Sequence, residues 1–149
     1  MKEYKNKTIL LTGASTGIGY AMAHLLADQG ANLIITARGR DKLEDLAKEL
    51  KDKNIQIQIF TQDISEANSA KNLFNQIEQA NLSVDLLINN AGYGRWGEFT
   101  EIDMEDYENM IQLNVTSLTE LSYLYAKKMA ENGAGGIINI ASTAALYPI

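Results

Sequence analysis

The sequence predicts an α/β fold with a doubly wound parallel sheet, in which helices cover both faces of the sheet. Short apolar runs of strand length recur five times along the 149 residues. Segments with apolar residues three or four positions apart, the spacing of a helix face, separate these runs. The runs are mostly continuous rather than alternating, which is typical of strands buried on both faces. Right-handed crossovers between such strands favour the order 3-2-1-4-5.

The five predicted strands alternate with helical segments, and no stretch between them resembles a linker between domains. The first precedes a Gly-rich turn, and the fifth follows the Gly cluster NGAGG. They span residues 8–11, 32–36, 55–60, 84–88 and 136–141. The one Pro is Pro148, and no low-complexity stretch interrupts the pattern, so residues 1–149 are predicted to form a single domain.

Apolar stripes mark the helices between the strands. In the first helix, Ile18, Met22, Leu25 and Leu26 recur at helical spacing, and Gly30 ends the segment. Two further helices and one long helix over 103–129 are predicted by later stripes. Their members are Leu43, Leu46 and Leu50, then Ala70, Leu73, Phe74 and Ile77, then Met104, Tyr107, Ile111, Leu118, Leu121, Tyr125 and Met129.

Composition excludes several classes of function. With 46% apolar and 21% charged residues the chain is typical of a globular protein, and its net charge of -6 argues against nucleic-acid or acidic-lipid partners. There is no Cys, and the single His24, expected to be structural, cannot build a metal cluster. No apolar run approaches the length of a signal-peptide core or a membrane span, so the expected location is the cytoplasm.

The turn TGASTGIG lies between the first strand and the first helix. Gly13 permits a tight turn, Gly17 allows backbone to approach a phosphate closely, and Gly19 lets the helix pack on the strand. The unpaired N–H groups at the helix N-terminus attract anions. This arrangement predicts a dinucleotide pyrophosphate site.

Further motifs follow this turn in a fixed order. Asp63 follows the third strand, NNAG at 89–92 follows the fourth, Asn114 lies in the long helix, and Ser142 ends the fifth strand. In these motifs the whole chain resembles the short-chain dehydrogenase/reductase family. The resemblance implies a Rossmann-like fold and an NADP(H)- or NAD(H)-dependent oxidoreductase acting on a small carbonyl or alcohol substrate.

The resemblance also assigns roles to the cofactor residues. Ser15, Thr16 and Ile18 are expected to touch the pyrophosphate, beside Gly13, Gly17 and Gly19. Asp63 and Ile64 are expected to border the adenine, and Asn90, Ala91 and Gly92 to line the adenosine ribose and pyrophosphate side. For Asn89 and Asn90, capping of the strand end is an alternative role, and Asn90 can also brace the sheet.

Cofactor choice is indicated by the end of the second strand. An acidic residue about 20 residues beyond the Gly turn binds the ribose 2′-hydroxyl of NAD. Ala37 and then Arg38 stand there instead. Because a guanidinium pairs with a 2′-phosphate and has no partner on a bare hydroxyl, NADP(H) is favoured, although a solvated loop Arg is the alternative.

Catalysis is expected to involve Ser142 and Asn114. In the family the corresponding Ser donates a hydrogen bond to the substrate carbonyl oxygen, and the Asn holds a water in the proton relay. A Tyr-x-x-x-Lys pair beyond the Ser supplies the proton, and no such pair follows Ser142 here. Tyr147 precedes Pro148 and has no Lys four residues on. The chain is therefore expected to be the inactive N-terminal portion of a longer enzyme, truncated after strand 5.

Two functions remain open from the sequence. The first is an NADP(H)-dependent 3-oxoacyl or other carbonyl reductase, or an alcohol dehydrogenase, that forms a homo-oligomer at full length. The second is a catalytically silent dinucleotide-binding module.

The loop after the NNAG turn contains Tyr93, Arg95 and Trp96, which either face substrate or pack within their loop. Substrate identity is not readable, because fold alone does not set function.

Overall fold

A computed structural model describes residues 4–145 and contains a five-stranded sheet in the order β3-β2-β1-β4-β5. All four strand pairings are parallel. The strands are β1 (Thr8–Thr12), β2 (Asn32–Ala37), β3 (Ile57–Thr61), β4 (Leu86–Asn89) and β5 (Gly136–Asn139). The predicted α/β fold class and strand order are therefore confirmed. The order reverses between β1 and β4, which is where ligands bind in open α/β sheets.

Five α-helices connect and flank these strands within the described residues. They are α1 (Gly17–Asp28), α2 (Arg40–Glu49), α3 (Ser69–Gln79), α4 (Met104–Ile111) and α5 (Leu118–Glu131). A π-helical segment, Gln112–Ser117, joins α4 to α5, and short 3-10 turns follow α2 and β5 at Lys51–Lys53 and Thr143–Ala145. No helix in residues 4–145 is long and apolar enough to cross a membrane.

The core has two halves, one on each face of the sheet. Ile9 and Leu11 of β1 are fully buried against side chains of α1 and α2. Leu10, between them, is fully buried on the other face with Leu73 of α3 and Leu121 of α5. Successive strand residues point to opposite faces, so a continuous apolar strand fills both halves.

The predicted apolar stripe of α1 is partly wrong. Ile18 and Leu25 are 62% and 66% exposed, although both were expected to face the core. The buried face instead consists of small residues with one Leu, namely Gly19, Ala23, Leu26 and Ala27. The helix therefore lies close to the sheet, and close packing excludes long side chains from the contact. Ile18, in the first turn, borders the cleft described below.

The apolar stripe predicted for the long helix over 103–129 is also partly wrong. Met104 and Ile111, placed in its apolar stripe, are 70% and 57% exposed, whereas Leu121, Tyr125 and Met129 are buried as expected. The π-helical segment adds residues to one turn and so rotates α4 relative to α5. An apolar stripe drawn with one helical spacing through α4 and α5 therefore does not identify the buried face of α4.

Some strand limits also differ from the predicted ones. β3 begins at Ile57 and β4 at Leu86, two residues later than expected in each case. β5 ends at Asn139, so Ser142 lies beyond the strand and does not end it. One more backbone hydrogen bond, from Ile140 N to Asn89 O (2.9 Å), continues the pairing with β4.

Candidate functional site

A cleft of about 590 Å³ opens at the carboxyl ends of β1, β2, β3 and β4. The loops that follow these four strands form its walls, because carboxyl ends of parallel strands meet at one edge of a sheet. Its lining includes Gly13, Ser15, Thr16, Gly17, Ile18, Arg38, Asp63, Ile64, Asn90, Ala91 and Gly92. The structure thus brings together every residue predicted to contact the cofactor except Gly19.

Gly19 lies buried beneath the turn. A Cβ atom at Gly19 would lie 2.2 Å from the carbonyl oxygen of Gly13 and 2.5 Å from Nδ2 of Asn90. Gly13 itself has φ +66°, and a Cβ there would lie 2.9 Å from Cα of Ala91. Both positions therefore require Gly, and together they let α1, the turn and the β4 loop approach one another.

The N-terminus of α1 faces this cleft, and no acidic side chain in the first turn of the helix neutralises its positive end. Thr16 is the N-cap residue, its side chain makes no capping hydrogen bond, and the first turn contains no acidic residue. Ser15, Thr16, Gly17 and Ile18 all line the cleft. Uncapped N–H groups at the positive end of a helix are suited to bind a phosphate.

Thr12 and Asn90 hold the two sides of the cleft together. The backbone N–H groups of Asn90 and Ala91 both donate to Oγ1 of Thr12, each at 3.0 Å. Nδ2 of Asn90 donates to the carbonyl oxygens of Thr12 (3.0 Å) and Gly13 (3.2 Å). Asn90 therefore braces the glycine turn as well as lining the cleft. Thr12 was not predicted as a site residue, although a Thr that ends a buried strand directly before the Gly turn is a usable signal.

The loop after β3 forms another wall. Oδ1 of Asp63 accepts hydrogen bonds from N (2.9 Å) and Oγ (2.6 Å) of Ser65, which closes a local turn. The carbonyl oxygen of Ile64 accepts from Oγ of Ser117 at 2.5 Å. Ser117 is fully buried at the end of the π-helical segment, so this segment fixes the position of the wall.

Asn114, from the middle of the same π-helical segment, is anchored to the loop after β4. Its Nδ2 donates to the carbonyl oxygen of Tyr93 at 2.8 Å, and its Oδ1 accepts from the Tyr93 N–H at 3.2 Å. Oδ1 also lies 3.1 Å from the position of a Cβ at Gly92. Asn114 is exposed and does not itself line the cleft, but it holds Tyr93, which does. π-helical segments of this kind are frequent at functional sites.

Ser142 is not among the residues that line the cleft. It is exposed, and its Oγ accepts a hydrogen bond from the backbone N–H of Ala144 at 3.1 Å. Tyr147 lies outside the described residues. Tyr123 and Lys127 have Tyr-x-x-x-Lys spacing, but they precede Ser142, are exposed on α5 and do not line the cleft.

The loop after the NNAG turn is bound to α4 through Asp106. Tyr93 lines the cleft and donates from its hydroxyl to the carbonyl oxygen of Asp106 at 3.3 Å. Arg95 pairs with the Asp106 carboxylate at 3.0 Å and lies over the Tyr93 ring. Trp96 is 81% exposed.

Other features of the described residues are less suited to chemistry. His24 contacts Glu49 at 3.2 Å and stacks at an angle on Tyr20. No group of three or more His, Asp or Glu residues that could hold a metal ion is found in residues 4–145. A smaller cavity of about 220 Å³ lies between α3 and α5, beside the ion pair of Glu78 and Lys128.

The sheet order, the glycine turn and the cleft at the switch point define a Rossmann-like α/β protein. The family model described as short chain dehydrogenase matches residues 7–149. The chain belongs to the short-chain dehydrogenase/reductase family of oxidoreductases.

Individual relatives agree with this assignment. An uncharacterized oxidoreductase of Bacillus subtilis (strain 168) is 34% identical over 143 residues, which are 95% of this chain and 52% of the relative. The bulky-bulky ketone specific alcohol dehydrogenase from Comamonas testosteroni superposes with a TM-score of 0.89 at 31% identity, covering 95% of this chain and 57% of that one. A short-chain dehydrogenase from Sphingobium yanoikuyae in complex with NADPH gives 0.89 and 31%, covering 95% and 56%. The chain thus spans little more than half the length of each of these relatives.

Proposed function

We propose that this chain is the dinucleotide-binding part of an oxidoreductase that transfers a hydride between NADP(H) and a ketone or secondary alcohol. The observation that carries the proposal is the cleft itself. An uncapped helix N-terminus and a glycine turn lie on one side of it, and an exposed Arg38 follows Ala37, which occupies the place of the acidic residue that would bind NAD. A pyrophosphate fits the first feature, and a 2′-phosphate fits the second.

Three groups would hold NADP(H) in this cleft. The backbone N–H groups at Thr16 to Ile18 would bind the pyrophosphate, and the wall at Asp63 and Ile64 would border the adenine. Arg38 would pair with the 2′-phosphate. That a related structure was solved with NADPH supports this choice of cofactor.

The chemistry follows from the charge that develops on the substrate. NADPH, when bound, supplies the hydride, and negative charge then grows on the carbonyl oxygen. Ser142 is proposed to donate a hydrogen bond to this oxygen, and Asn114 to hold a water of the proton relay. The substrate class includes 3-oxoacyl and other carbonyl compounds. The ketone specificity of the Comamonas testosteroni relative supports a carbonyl substrate.

A second candidate is a module that binds the dinucleotide without chemistry. It is favoured by one observation: within residues 4–145, Ser142 does not line the cleft, and Tyr123 and Lys127, which have Tyr-x-x-x-Lys spacing, are exposed on α5 and do not line it either. For the 149-residue chain we therefore expect cofactor binding without turnover.

The exposed apolar side chains of Ile111 and Val115 support self-association of a longer protein.

The test is to measure the affinity of the chain for NADPH and NADH by isothermal titration calorimetry, and NADPH oxidation with a panel of ketones. The unmutated chain is expected to prefer NADPH by about tenfold or more, because a charge-assisted contact contributes about 1.5 to 3 kcal/mol. Arg38→Asp should reverse the preference. Equal affinities for both cofactors would refute the choice of NADP(H), and turnover by the chain alone would refute the expected lack of catalysis.

A further inference from the structure

Three basic side chains follow β2 within five positions, but they do not share the same surroundings. Nε of Arg40 donates to Oε1 of Glu44 at 2.6 Å, so its charge is already paired. Arg38 and Lys42 make no ion pair with any other residue in the described range 4–145, and both line the cleft.

Helix geometry explains this separation. α2 begins at Arg40, so Arg40 and Glu44 are four residues apart and lie on one face. Lys42 is two residues beyond Arg40, which places it about 200° around the helix axis, on nearly the opposite side. Gly39, between strand and helix, has an extended backbone. Arg38 from the strand end and Lys42 from the first turn of α2 therefore approach the cleft from two directions.

We infer that Lys42 is a second contact for the 2′-phosphate and so a specificity-determining residue for NADP(H). This inference rests on the function proposed above. A phosphate monoester carries a charge of about -1.5 to -2 at pH 7, so one guanidinium leaves it incompletely neutralised. Arg38 offers a planar fork to two oxygens, and the ammonium of Lys42 adds a point charge for the third. The 2′-hydroxyl of NAD(H) offers Lys42 no counter-charge.

The experiment compares Lys42→Gln with a matched control, Arg40→Gln. Both variants remove one positive charge from the same corner of the fold, but only Lys42 lines the cleft. Affinities of the chain for NADPH, NADH and 2′,5′-ADP are measured by calorimetry at low and moderate salt. Lys42→Gln should weaken NADPH and 2′,5′-ADP by about tenfold and leave NADH within about twofold. Arg40→Gln should leave all three within about twofold, and Lys42→Arg should keep the preference for NADPH.

The outcomes separate the two proposals. If Lys42→Gln behaves like Arg40→Gln while Arg38→Gln still abolishes the preference, the inference about Lys42 is wrong and the proposed function stands. If the unmutated chain shows no preference for NADPH, both are wrong. Circular dichroism and urea unfolding of each variant show whether a loss of affinity reflects a loss of fold. Equal losses of NADH and NADPH affinity in a folded Lys42→Gln variant would also overturn the inference.

Discussion

Replacing Gly19 with Ala tests whether close packing of α1 against the turn builds the cleft. The added Cβ would lie 2.2 Å from the Gly13 carbonyl oxygen and 2.5 Å from Nδ2 of Asn90. Both neighbours are held in place, since the same Nδ2 donates to the carbonyl oxygens of Thr12 and Gly13. The helix or the turn therefore has to move by about 1 Å to reach normal contact distances.

The expected cost has two parts. Forcing an extra carbon into a packed contact costs about 1 to 3 kcal/mol. The displacement also weakens two hydrogen bonds of Asn90, each of which contributes about 0.5 to 1.5 kcal/mol. We expect Gly19→Ala to lower the free energy of unfolding by about 4 kcal/mol, a large fraction of the total for a domain of this size.

Urea unfolding followed by circular dichroism measures this loss, with Gly94→Ala as the matched control. A Cβ at Gly94 would meet no atom within 4 Å, and Gly94 is not among the glycines with positive φ. The control should therefore change the free energy of unfolding by less than about 0.5 kcal/mol. NADPH affinity should fall only in Gly19→Ala. Coincident unfolding curves for the two variants would refute the packing argument.

Two further predictions concern buried side chains. Ser117→Ala should lower the free energy of unfolding by about 1 to 3 kcal/mol, because the Ile64 carbonyl oxygen loses the donor that lies 2.5 Å away. Ser83 is exposed, so the control Ser83→Ala should change this free energy little. Equal urea midpoints for the two variants would contradict the prediction. Burial, and secondarily the charge of Glu78, raise the pKa of Tyr125 above its ordinary value of about 10. The folded state therefore holds this proton more tightly than the unfolded state, so its contribution to stability is fully present below pH 10 and is lost as the pH rises further. Urea midpoints measured from pH 8 to 11 should fall more steeply for the unmutated chain than for Tyr125→Phe, and parallel slopes would show that Tyr125 is not the cause.

Periodicity and turn chemistry predicted the architecture from the sequence. The five apolar runs and the positions of Gly13 and Asn90 were enough to place the switch point between β1 and β4. The exposed faces of α1 and α4 were not predictable in this way. Whether Ile18 faces the sheet or the cleft depends on how closely α1 approaches, and the rotation of α4 depends on a π-helical segment that the apolar stripe does not reveal.

The candidate site was predictable only in part, for a similar reason. The glycine turn and NNAG have fixed sequence spacing, so they could be read directly. Ser117 and Lys42 lie in helices where Ser and Lys are ordinary surface residues. Only the tertiary structure shows that one is buried against the Ile64 carbonyl and that the other lines the cleft.

The central claim, that NADP(H) binds in the cleft at the carboxyl ends of the strands, is tested most directly by amide chemical-shift mapping. The ¹⁵N-labelled chain would be titrated separately with NADPH and NADH. Both cofactors should shift the amides of Gly13, Gly17, Asp63 and Gly92, and NADPH should additionally shift those from Arg38 to Lys42. Shifts confined to the smaller cavity between α3 and α5, or no saturable shifts with either cofactor, would contradict the claim.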